Sequence, residues 1–501
     1  MSRSKSVIKN AIWEMGYYII VILFGFLAPR YIILSYGSEV NGLTTTIQHI
    51  INIVLMLQAG AATASIYSLY KPIAQNDIDA IKDNIASAEA FFKKISYIFS
   101  GIIIIVAIVT PFVLNTSLEK IFVFAAMMIM GAKSFIDLYN TAKYRIIFTA
   151  YQQKKFISIA TLIEQIIYYA MVFITLWMHW HYILIYMWFL LGCLVKVICL
   201  ECMLRKTHPR LVKIKSKSSK GVIGDRNYAL INEVSHSFMG SSVTILMSFM
   251  YTLAETSVYS IYALVNDALN LIITSLYSAF APSFGDLYAY NNKKKNADIF
   301  SIFQYIFCMF GTFLMMCMLF SIIPFVKIYT SGATDINYVN YTLATIMAVG
   351  GVFSVYRIPY NIIVSSCGFF KETYLQPAIT AAACICVSIL CGKFEYSFSL
   401  VGLLLFYAIN FLYQHIKLKQ LVPYLIKKNI FIQLAISLIG VIGTFIIINN
   451  FNFPEGIVNW ILFSTLYALF AGLYLLLISF LFEKTLVISS FQYIKSIIKR
   501  K

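Results

Sequence analysis

Long apolar runs separated by short polar segments recur along the whole of this 501-residue chain. Apolar runs of this kind are long enough, at about 18 residues or more, to cross the roughly 30 Å hydrocarbon core of a membrane as helices. The stretch Ile102–Val109 reads IIIIVAIV, without the alternation expected of a membrane β-strand. The pattern therefore predicts an all-α polytopic membrane protein with about fourteen transmembrane helices. The predicted spans are 11–33, 43–68, 95–114, 121–142, 156–178, 182–204, 228–251, 258–281, 299–325, 339–363, 375–391, 397–414, 429–449 and 457–482.

Composition and charge distribution support a membrane location and argue against a nucleic-acid partner. The chain is 60% hydrophobic and 12% charged, with a mean hydropathy of +0.79, whereas soluble domains carry about 25% charged residues. The net charge is +18, but the positive residues lie in loops. With the N-terminus placed inside, predicted inside segments carry 32 of the 39 Lys and Arg residues and outside loops carry three. By the positive-inside rule, both termini are expected in the cytoplasm.

One basic segment divides the predicted spans into two groups. Arg205–Arg226 contains eight Lys and Arg residues and a single acid, Asp225, and it shows little apolar periodicity. We interpret it as a cytoplasmic linker between two halves of a transporter. The expected organisation is a six-helix bundle at 1–204, a basic linker at 205–227, a second six-helix bundle at 228–421, and two extra helices with a basic amphipathic tail at 422–501.

The two predicted halves resemble each other at a single offset of 218 positions. Ser65–Tyr70 aligns with Ser283–Tyr288, and Phe135 aligns with Phe353. Chance similarity between two Ile-, Phe- and Tyr-rich sequences is the alternative explanation. If the repeat is real, six spans per copy preserve orientation, so the two copies are parallel and related by an axis near the membrane normal.

Charged residues inside predicted spans are costly and usually face a bundle interior or water. Lys133 and Asp137 stand four residues apart on the fourth predicted span. They are expected either to form an internal ion pair, or to face a lumen as a pair that separates when an anion arrives. Arg357 stands two residues before Pro359, which kinks a helix. Because a guanidinium binds phosphate through two hydrogen bonds, Arg357 is a candidate phosphate ligand, with snorkelling to the inner interface as the alternative.

Several further membrane-embedded residues are candidates for ion coupling or substrate contact. Glu14, Glu233 and Asp267 could each bind a coupling proton or sodium ion, or could be hydrogen-bonded structural acids. Asp267 aligns with His49 in the repeat, and Arg30 follows Pro29 near an outer end, where snorkelling is the alternative role. Two other charged residues in the spans are expected to be structural: Glu164 and Lys196.

Motifs for built-in chemistry do not appear in the sequence. We find no P-loop and no G-x-S-x-G nucleophile motif, and the predicted outer loops are too short for a membrane glycosyltransferase or polymerase. The chain is therefore not expected to be an enzyme. Nine Cys include one C-x-x-C, Cys199 to Cys202, without a second pair, so no metal site and no cofactor are expected.

Short motifs near the first, second and tenth spans resemble the polysaccharide transporter family. They are Gly37–Leu43 (GSEVNGL), Ser65–Pro72 (SIYSLYKP), Arg357–Pro359 (RIP) and Cys367–Thr373 (CGFFKET). This family comprises Wzx-type bacterial flippases for undecaprenyl-pyrophosphate-linked oligosaccharides, in the superfamily that includes MATE drug exporters and the lipid II flippase.

The resemblance implies two six-helix bundles, alternating access and a cationic cavity for the pyrophosphate and acidic sugars. Substrate contact is expected at Arg357 first, then at Lys133 and Arg30, with Asp137 and His49 as further lumen candidates. Glu233 stands where related transporters carry a cation-site acid. The protein is expected to work as a monomer in the bacterial cytoplasmic membrane, with membrane lipids and other polysaccharide assembly proteins as partners. Its transport is expected to be coupled to an H⁺ or Na⁺ gradient or to the membrane potential. A MATE-like exporter of small molecules or drugs is the alternative.

Overall fold

The computed structural model describes residues 3–58, 61–211, 227–289, 293–426, 429–451 and 456–498. Throughout these residues the backbone is helical apart from turns, loops such as the one at 330–340, and one isolated bridge between Asn115 and Thr252. The helices, in chain order, are α1 Arg3–Tyr36, α2 Ser38–Leu55, α3 Ala61–Gln75, α4 Ile78–Val113, α5 Lys120–Ile136, α6 Ala142–Ala150, α7 Lys155–Trp177, α8 Ile183–Thr207, α9 Asn227–Met250, α10 Leu253–Ala289, α11 Lys293–Tyr329, α12 Tyr341–Cys367, α13 Phe370–Thr373, α14 Leu375–Gly392, α15 Leu400–Leu421, α16 Ile430–Asn450 and α17 Ile457–Ile498.

Ten helical segments of the described chain are long and apolar enough to cross a membrane, which indicates a multi-pass membrane protein. Ile20–Tyr36, in α1, is a shorter apolar helix. The other predicted spans outside these ten fall on α2 with α3, on α9 and on α10. The span predicted at 43–68 is interrupted after α2, where Met56–Gln58 forms a 3₁₀ turn. The total of fourteen spans remains a prediction.

Contacts group the chain into two compact units. The first comprises Met1–Leu230 with Tyr251–Ser257, and the second comprises Ile231–Met250 with Val258–Lys501. Of the predicted basic linker, the structure describes only the start, where α8 continues to Thr207 and a 3₁₀ turn follows at Pro209–Leu211. The rest of the linker, 212–226, lies outside the described residues, so the four-part domain organisation also remains a prediction.

In the first unit, α7 packs against α1 and α8, and α5 packs against α4 and α8. A hydrophobic cluster joins α1, α2, α7 and α8 through buried residues that include Ile32, Val40, Val172 and Ile185.

Small residues permit the closest approaches. A Cβ at Gly42 would overlap the backbone carbonyl of Leu253, so only glycine fits at that position of α2.

In the second unit, α12 packs against α15 and α11, and α11 also packs against α16 and α17. The ends of α12 follow ordinary capping rules. The Asn340 side chain accepts a hydrogen bond from the Leu343 amide at 2.8 Å, and Gly368, with φ 75°, closes the helix in the left-handed conformation. Gly350 lies against Leu404 of α15, with 3.6 Å between an ideal Cβ and the Leu404 Cα, so α12 and α15 approach closely.

The final helix, α17, changes direction at Glu483, where the backbone leaves helical angles. Beyond it, Phe491 has an exposed side chain. This is compatible with the predicted amphipathic tail, but the side chains from 493 onward lie outside the described part of the chain.

Candidate functional site

Four charged side chains, from α5, the turn that follows it, α7 and α8, form a buried cluster in the first unit. Lys196 of α8 contacts two carboxylates, with its Nζ 2.6 Å from Asp137 Oδ1 and 2.8 Å from Glu164 Oε2. Lys133 of α5 lies 3.7 Å from Glu164 Oε1. The Lys196 and Glu164 side chains are nearly fully buried, at 6% and 5% exposure. We call Lys133, Asp137, Glu164 and Lys196 the charge cluster.

Close helix packing positions this cluster. A Cβ at Gly192 of α8 would lie 3.0 Å from the Glu164 carbonyl oxygen, so the two backbones approach at that point. Lys196 follows Gly192 by one helical turn on the same face, which places its ammonium group beside the Glu164 carboxylate. Three residues before Lys196 on the same helix, the Cys193 thiol lies 3.6 Å from the Lys133 carbonyl oxygen.

The pairing differs from the internal ion pair that was one of the two arrangements expected for Lys133 and Asp137. That pair stands four residues apart in sequence, but in the structure Lys133 contacts Glu164 and Asp137 contacts Lys196. Each charge finds a partner on another helix because α7 and α8 both carry buried charges opposite α5. The helix also changes form here, since Asp137–Thr141 is a single π-helical turn. Such turns are often found at functional sites.

A cavity of about 60 Å³ adjoins the charge cluster within the first unit. Its polar lining includes Gln58, Lys133, Ser134, Asp137 and Arg145. The volume is enough for more than one water molecule. Together with the cluster, Arg145 brings the local balance to three cations and two carboxylates, so a small anion is favoured over a cation at this cavity.

A second polar arrangement lies in the second unit around Arg357 of α12. One guanidinium nitrogen, Nη1, lies 2.7 Å from Nε2 of His236 on α9. The Arg357 guanidinium also stacks over the Tyr407 ring of α15, 5.7 Å from its centroid. The His236 ring meets Phe406 edge-on, with ring centroids 5.0 Å apart. We call Arg357, His236 and Tyr407 the arginine site.

Two nitrogens of the arginine site are buried without hydrogen-bond partners in the described structure: Nε of Arg357 and Nδ1 of His236. Buried polar groups are usually satisfied. Both nitrogens carry a proton when His236 accepts from Arg357, so the site holds two unused donors. Such a site is suited to an oxygen acceptor, above all an anionic one.

Tyr407 joins the arginine site to a neighbouring cavity of about 50 Å³ within the second unit. The polar lining of this cavity is uncharged and includes Tyr259, Asn266, Asn270 and Ser354. Hydroxyl and amide side chains beside aromatic rings suit a hydroxylated ligand such as a sugar. Asp267, whose side chain is exposed, acts electrostatically on Tyr259 and Tyr407.

The remaining candidates from the sequence lie on other helices. Arg30 and Glu14 are half-buried on α1, and His49 is half-buried on α2. The Nδ1 atom of His49 is buried without a hydrogen-bond partner in the described chain. The Glu233 side chain lies outside the described residues, although its backbone belongs to α9. The structure thus groups Lys133 with Asp137, while Arg357 meets His236, a residue not singled out from the sequence.

Three contributors to these sites were not selected from sequence. Glu164 and Lys196 were expected to be structural, and in the structure they complete the charge cluster that holds Lys133 and Asp137. A histidine in a membrane helix was the available signal for His236. Among the described residues, no group of three or more His, Cys, Asp and Glu side chains is arranged to hold a metal ion.

Comparison with solved structures shows which fold the chain shares. The lipid II flippase MurJ in an inward closed conformation matches with a TM-score of 0.65 and 14% identity, over 95% of this chain and 100% of that chain. An inward-facing multidrug resistance MATE family transporter of the MOP superfamily matches with a TM-score of 0.64 and 12% identity, over 83% and 98%. A MOP superfamily transporter from Pyrococcus furiosus, whose binding pocket is described as having reverse polarity, matches with a TM-score of 0.53 and 11% identity, over 85% and 97%.

No protein-family model and no curated protein sequence matches this chain. The identities to the solved structures are low, so they establish a shared fold.

Proposed function

We propose that this chain is a flippase of the Wzx type, which moves undecaprenyl-pyrophosphate-linked oligosaccharides across the bacterial cytoplasmic membrane by alternating access. The glycans would serve O-antigen, capsule or another surface polysaccharide. A polar oligosaccharide cannot cross about 30 Å of hydrocarbon without shielding. A transporter that opens to one side and then to the other provides that shield.

The observation that carries this proposal is the extent of the likeness to the lipid II flippase. That structure matches 95% of this chain, whereas the MATE transporter matches 83%. The difference of 12 percentage points of 501 residues is about 60 residues. It is close to the combined length of α16, with 21 residues, and α17, with 42. Because the flippase structure matches more of this chain than the MATE structure does, we favour a lipid-linked cargo over a small drug.

The charge cluster and the arginine site supply groups for such a cargo. We propose that Arg357 binds the pyrophosphate, because its Nε is buried without a partner in the described structure and guanidinium groups bind phosphate through paired hydrogen bonds. Lys133 and Arg30 would contact further negative charges, and Asp137 and His49 would contact sugar hydroxyls. The neutral cavity beside Tyr407 offers a second surface for sugar.

Transport against a gradient requires an energy source, and Glu233, Glu14 and Asp267 are proposed as sites for a coupling proton or sodium ion. A protein with two conformations responds to an ion only when that ion binds one of them better. Membrane lipids are expected around the protein, with other polysaccharide assembly proteins as partners of a monomeric transporter. Both termini are proposed to be cytoplasmic.

We also propose that the two groups of six helices are parallel repeats. The bounds of the described helices support this at the offset found in the sequence. Shifted by 218, α4 at 78–113 falls on 296–331, near α11 at 293–329. The break after α6 at Ala150 falls on Gly368, the residue that caps α12. Parallel repeats suit a rocking motion around a fixed binding site.

A MATE-like exporter of small molecules is the second candidate. The likeness to the multidrug resistance transporter is nearly as high in TM-score as the likeness to the flippase. The exposed acid Asp267 is a feature that would suit a cationic drug. In that case Arg357 would have no role in cargo binding.

The test is a deletion in a bacterial strain that encodes this chain, complemented with the natural sequence or with Arg357→Ala. Without a working flippase, carrier-linked repeat units should accumulate in extracted lipids while the cell surface loses its glycan. Arg357→Ala at normal protein level should behave like the deletion. The matched control is Arg205→Ala, since Arg205 is an arginine with 67% side-chain exposure, and it should restore the glycan.

An intact glycan without carrier-linked intermediates in the deletion strain would contradict the flippase and favour the exporter. Uptake of a fluorescent cationic drug would then be measured in the same strains.

A further inference from the structure

The hydrogen bond between Arg357 and His236 determines which ring nitrogen of the histidine carries its proton. A guanidinium group can only donate. At 2.7 Å from Arg357 Nη1, Nε2 of His236 must therefore accept. The imidazole is neutral in this arrangement, with its hydrogen on Nδ1, where no hydrogen-bond partner is described. His236 thus occupies one donor of Arg357 and leaves one donor of its own unused.

The groups around His236 come from three other helices. Phe406, on α15, packs edge-on against the imidazole ring, and Arg357 approaches from α12. Titratable side chains also lie around this pair. Tyr407 of α15 and Tyr277 of α10 interact electrostatically with Arg357. Asp267 and Tyr259 of α10 interact electrostatically with Tyr407. On α9 itself, the Glu233 side chain is outside the described part of the chain.

Protonation of His236 would change this contact from attractive to repulsive. A proton taken from water onto Nε2 uses the lone pair that accepts the Arg357 hydrogen bond. Two donors and two positive charges then face each other, so the contact no longer forms. Both groups are left with N–H donors, and an anion with several oxygens can accept hydrogen bonds from both.

We propose that proton uptake by His236 strengthens anion binding at Arg357: the neutral ring takes one N–H of the guanidinium group, and the protonated ring releases that N–H and joins the group in binding a phosphate-type anion. The ligand class is a multiply charged oxyanion, such as the pyrophosphate of a lipid-linked cargo, and this identity rests on the proposed function. Proton and anion then bind cooperatively at one place. By linkage, each raises the affinity for the other by the same factor. A carboxylate at this position would differ, because protonation would remove its negative charge without creating a positive charge to attract the anion.

The test uses the full chain in detergent, with inorganic pyrophosphate as the probe and isothermal titration calorimetry at pH 6 and pH 8. Pyrophosphate itself titrates in this range, so each affinity ratio between the two pH values is compared with that of His236→Gln, which cannot gain a proton. The ratio for the natural protein should exceed that for His236→Gln by roughly tenfold, a typical coupling between two ligands. At pH 8 the two proteins should differ little.

The matched control is His415→Gln, because His415 is another buried histidine of the second unit, hydrogen-bonded to Tyr360. It should keep the pH dependence of the natural protein. A second measurement needs no variant: titrations of the natural protein in buffers of different ionisation enthalpy should reveal uptake of close to one proton in excess of that by the probe.

Equal affinity ratios for the natural protein and His236→Gln, or absence of the extra proton, would overturn the role of His236. If Arg357→Ala still abolished binding in that case, the anion site of the proposed function would stand. Absence of pyrophosphate binding to the natural protein at both pH values would overturn this inference together with the pyrophosphate role of Arg357.

Discussion

Replacing Lys196 by Met should destabilise the first unit more than any other single change in the charge cluster. The ammonium group of Lys196 lies within 2.8 Å of both carboxylates, and its side chain is 6% exposed. Methionine has a similar length and suits an apolar span, so the side-chain volume is largely kept. What is lost is the shared counter-charge of Asp137 and Glu164.

The expected magnitude follows from the cost of an unpaired buried charge. Breaking a buried ion pair by removing one partner costs about 3–5 kcal/mol. Lys133 still lies 3.7 Å from Glu164, and Asp137 still feels Lys133 and Arg145, so we expect the lower end, about 3 kcal/mol. For a unit of this size, 1 kcal/mol shifts the melting temperature by about 2–4 °C. Lys196→Met should therefore melt roughly 6–12 °C below the natural protein.

The assay is thermal melting of the purified protein in detergent, followed by loss of the monodisperse peak in size-exclusion chromatography. Lys133→Met is the matched control, because its ammonium contact is longer and its side chain is 18% exposed. It should lose less than half as much. Adding Glu164→Gln to Lys196→Met should recover part of the loss, since one unpaired carboxylate is removed. Melting of Lys196→Met within about 2 °C of the natural protein would show that Asp137 and Glu164 do not depend on Lys196 for their counter-charge.

Two further outcomes can be measured in the same way. Gly42→Ala should lower stability by about 1–3 kcal/mol, because the added methyl group meets the Leu253 carbonyl. The control is Gly101→Ala, which has open space around it and should be neutral or stabilising. Equal melting temperatures of the two variants would contradict the close approach of Gly42 to Leu253. Burial lowers the pKa of His208, which donates from Nε2 to the Gln153 side chain at 3.0 Å. The folded protein therefore holds neutral His208, so its stabilising effect is present above the unfolded pKa of about 6.5 and is lost as the pH falls below it; melting of the natural protein from pH 7 to pH 5 should show a loss that His208→Gln reduces.

The positions of most helices follow from the apolar pattern, because backbone N–H and C=O groups in a membrane must form hydrogen bonds within the protein, as they do in a helix. The helices α4, α7, α8, α11 and α14 each contain or nearly match a predicted span. Sequence could not reveal the interruption of the span predicted at 43–68, where Met56–Gln58 forms a 3₁₀ turn between α2 and α3. Apolar periodicity continues across such a turn and hides it.

The pairing of charges was less predictable than their presence. Spacing suggested a bond between Lys133 and Asp137, since residues four apart share a helix face. Their actual partners, Glu164 and Lys196, lie on α7 and α8, and this choice depends on how those helices are rotated. Helix rotation is set by contacts such as the one at Gly192, which no local pattern in one sequence reports.

The arginine site shows the same limit. A lone Arg357 beside Pro359 was sufficient to nominate a phosphate ligand, but its neighbour His236 is 121 positions away in the chain. Nothing in the local sequence around His236 on α9 marks it as a partner. Only the packing of α9 against α12 and α15 brings the imidazole to the guanidinium group.

The π-helical turn at Asp137–Thr141 has a consequence for the angular register of the whole membrane segment. Lys133 and Arg145 are twelve positions apart, a separation that would turn them about 120° away from each other in a regular α-helix. A single π turn accommodates one surplus residue, so the effective separation becomes eleven, which is close to three complete turns of about 3.6 residues. Both side chains accordingly line one cavity. Deleting one residue from this turn would restore a regular helix and rotate α6, which follows the turn. The length of the turn therefore determines the direction in which the Arg145 side chain points.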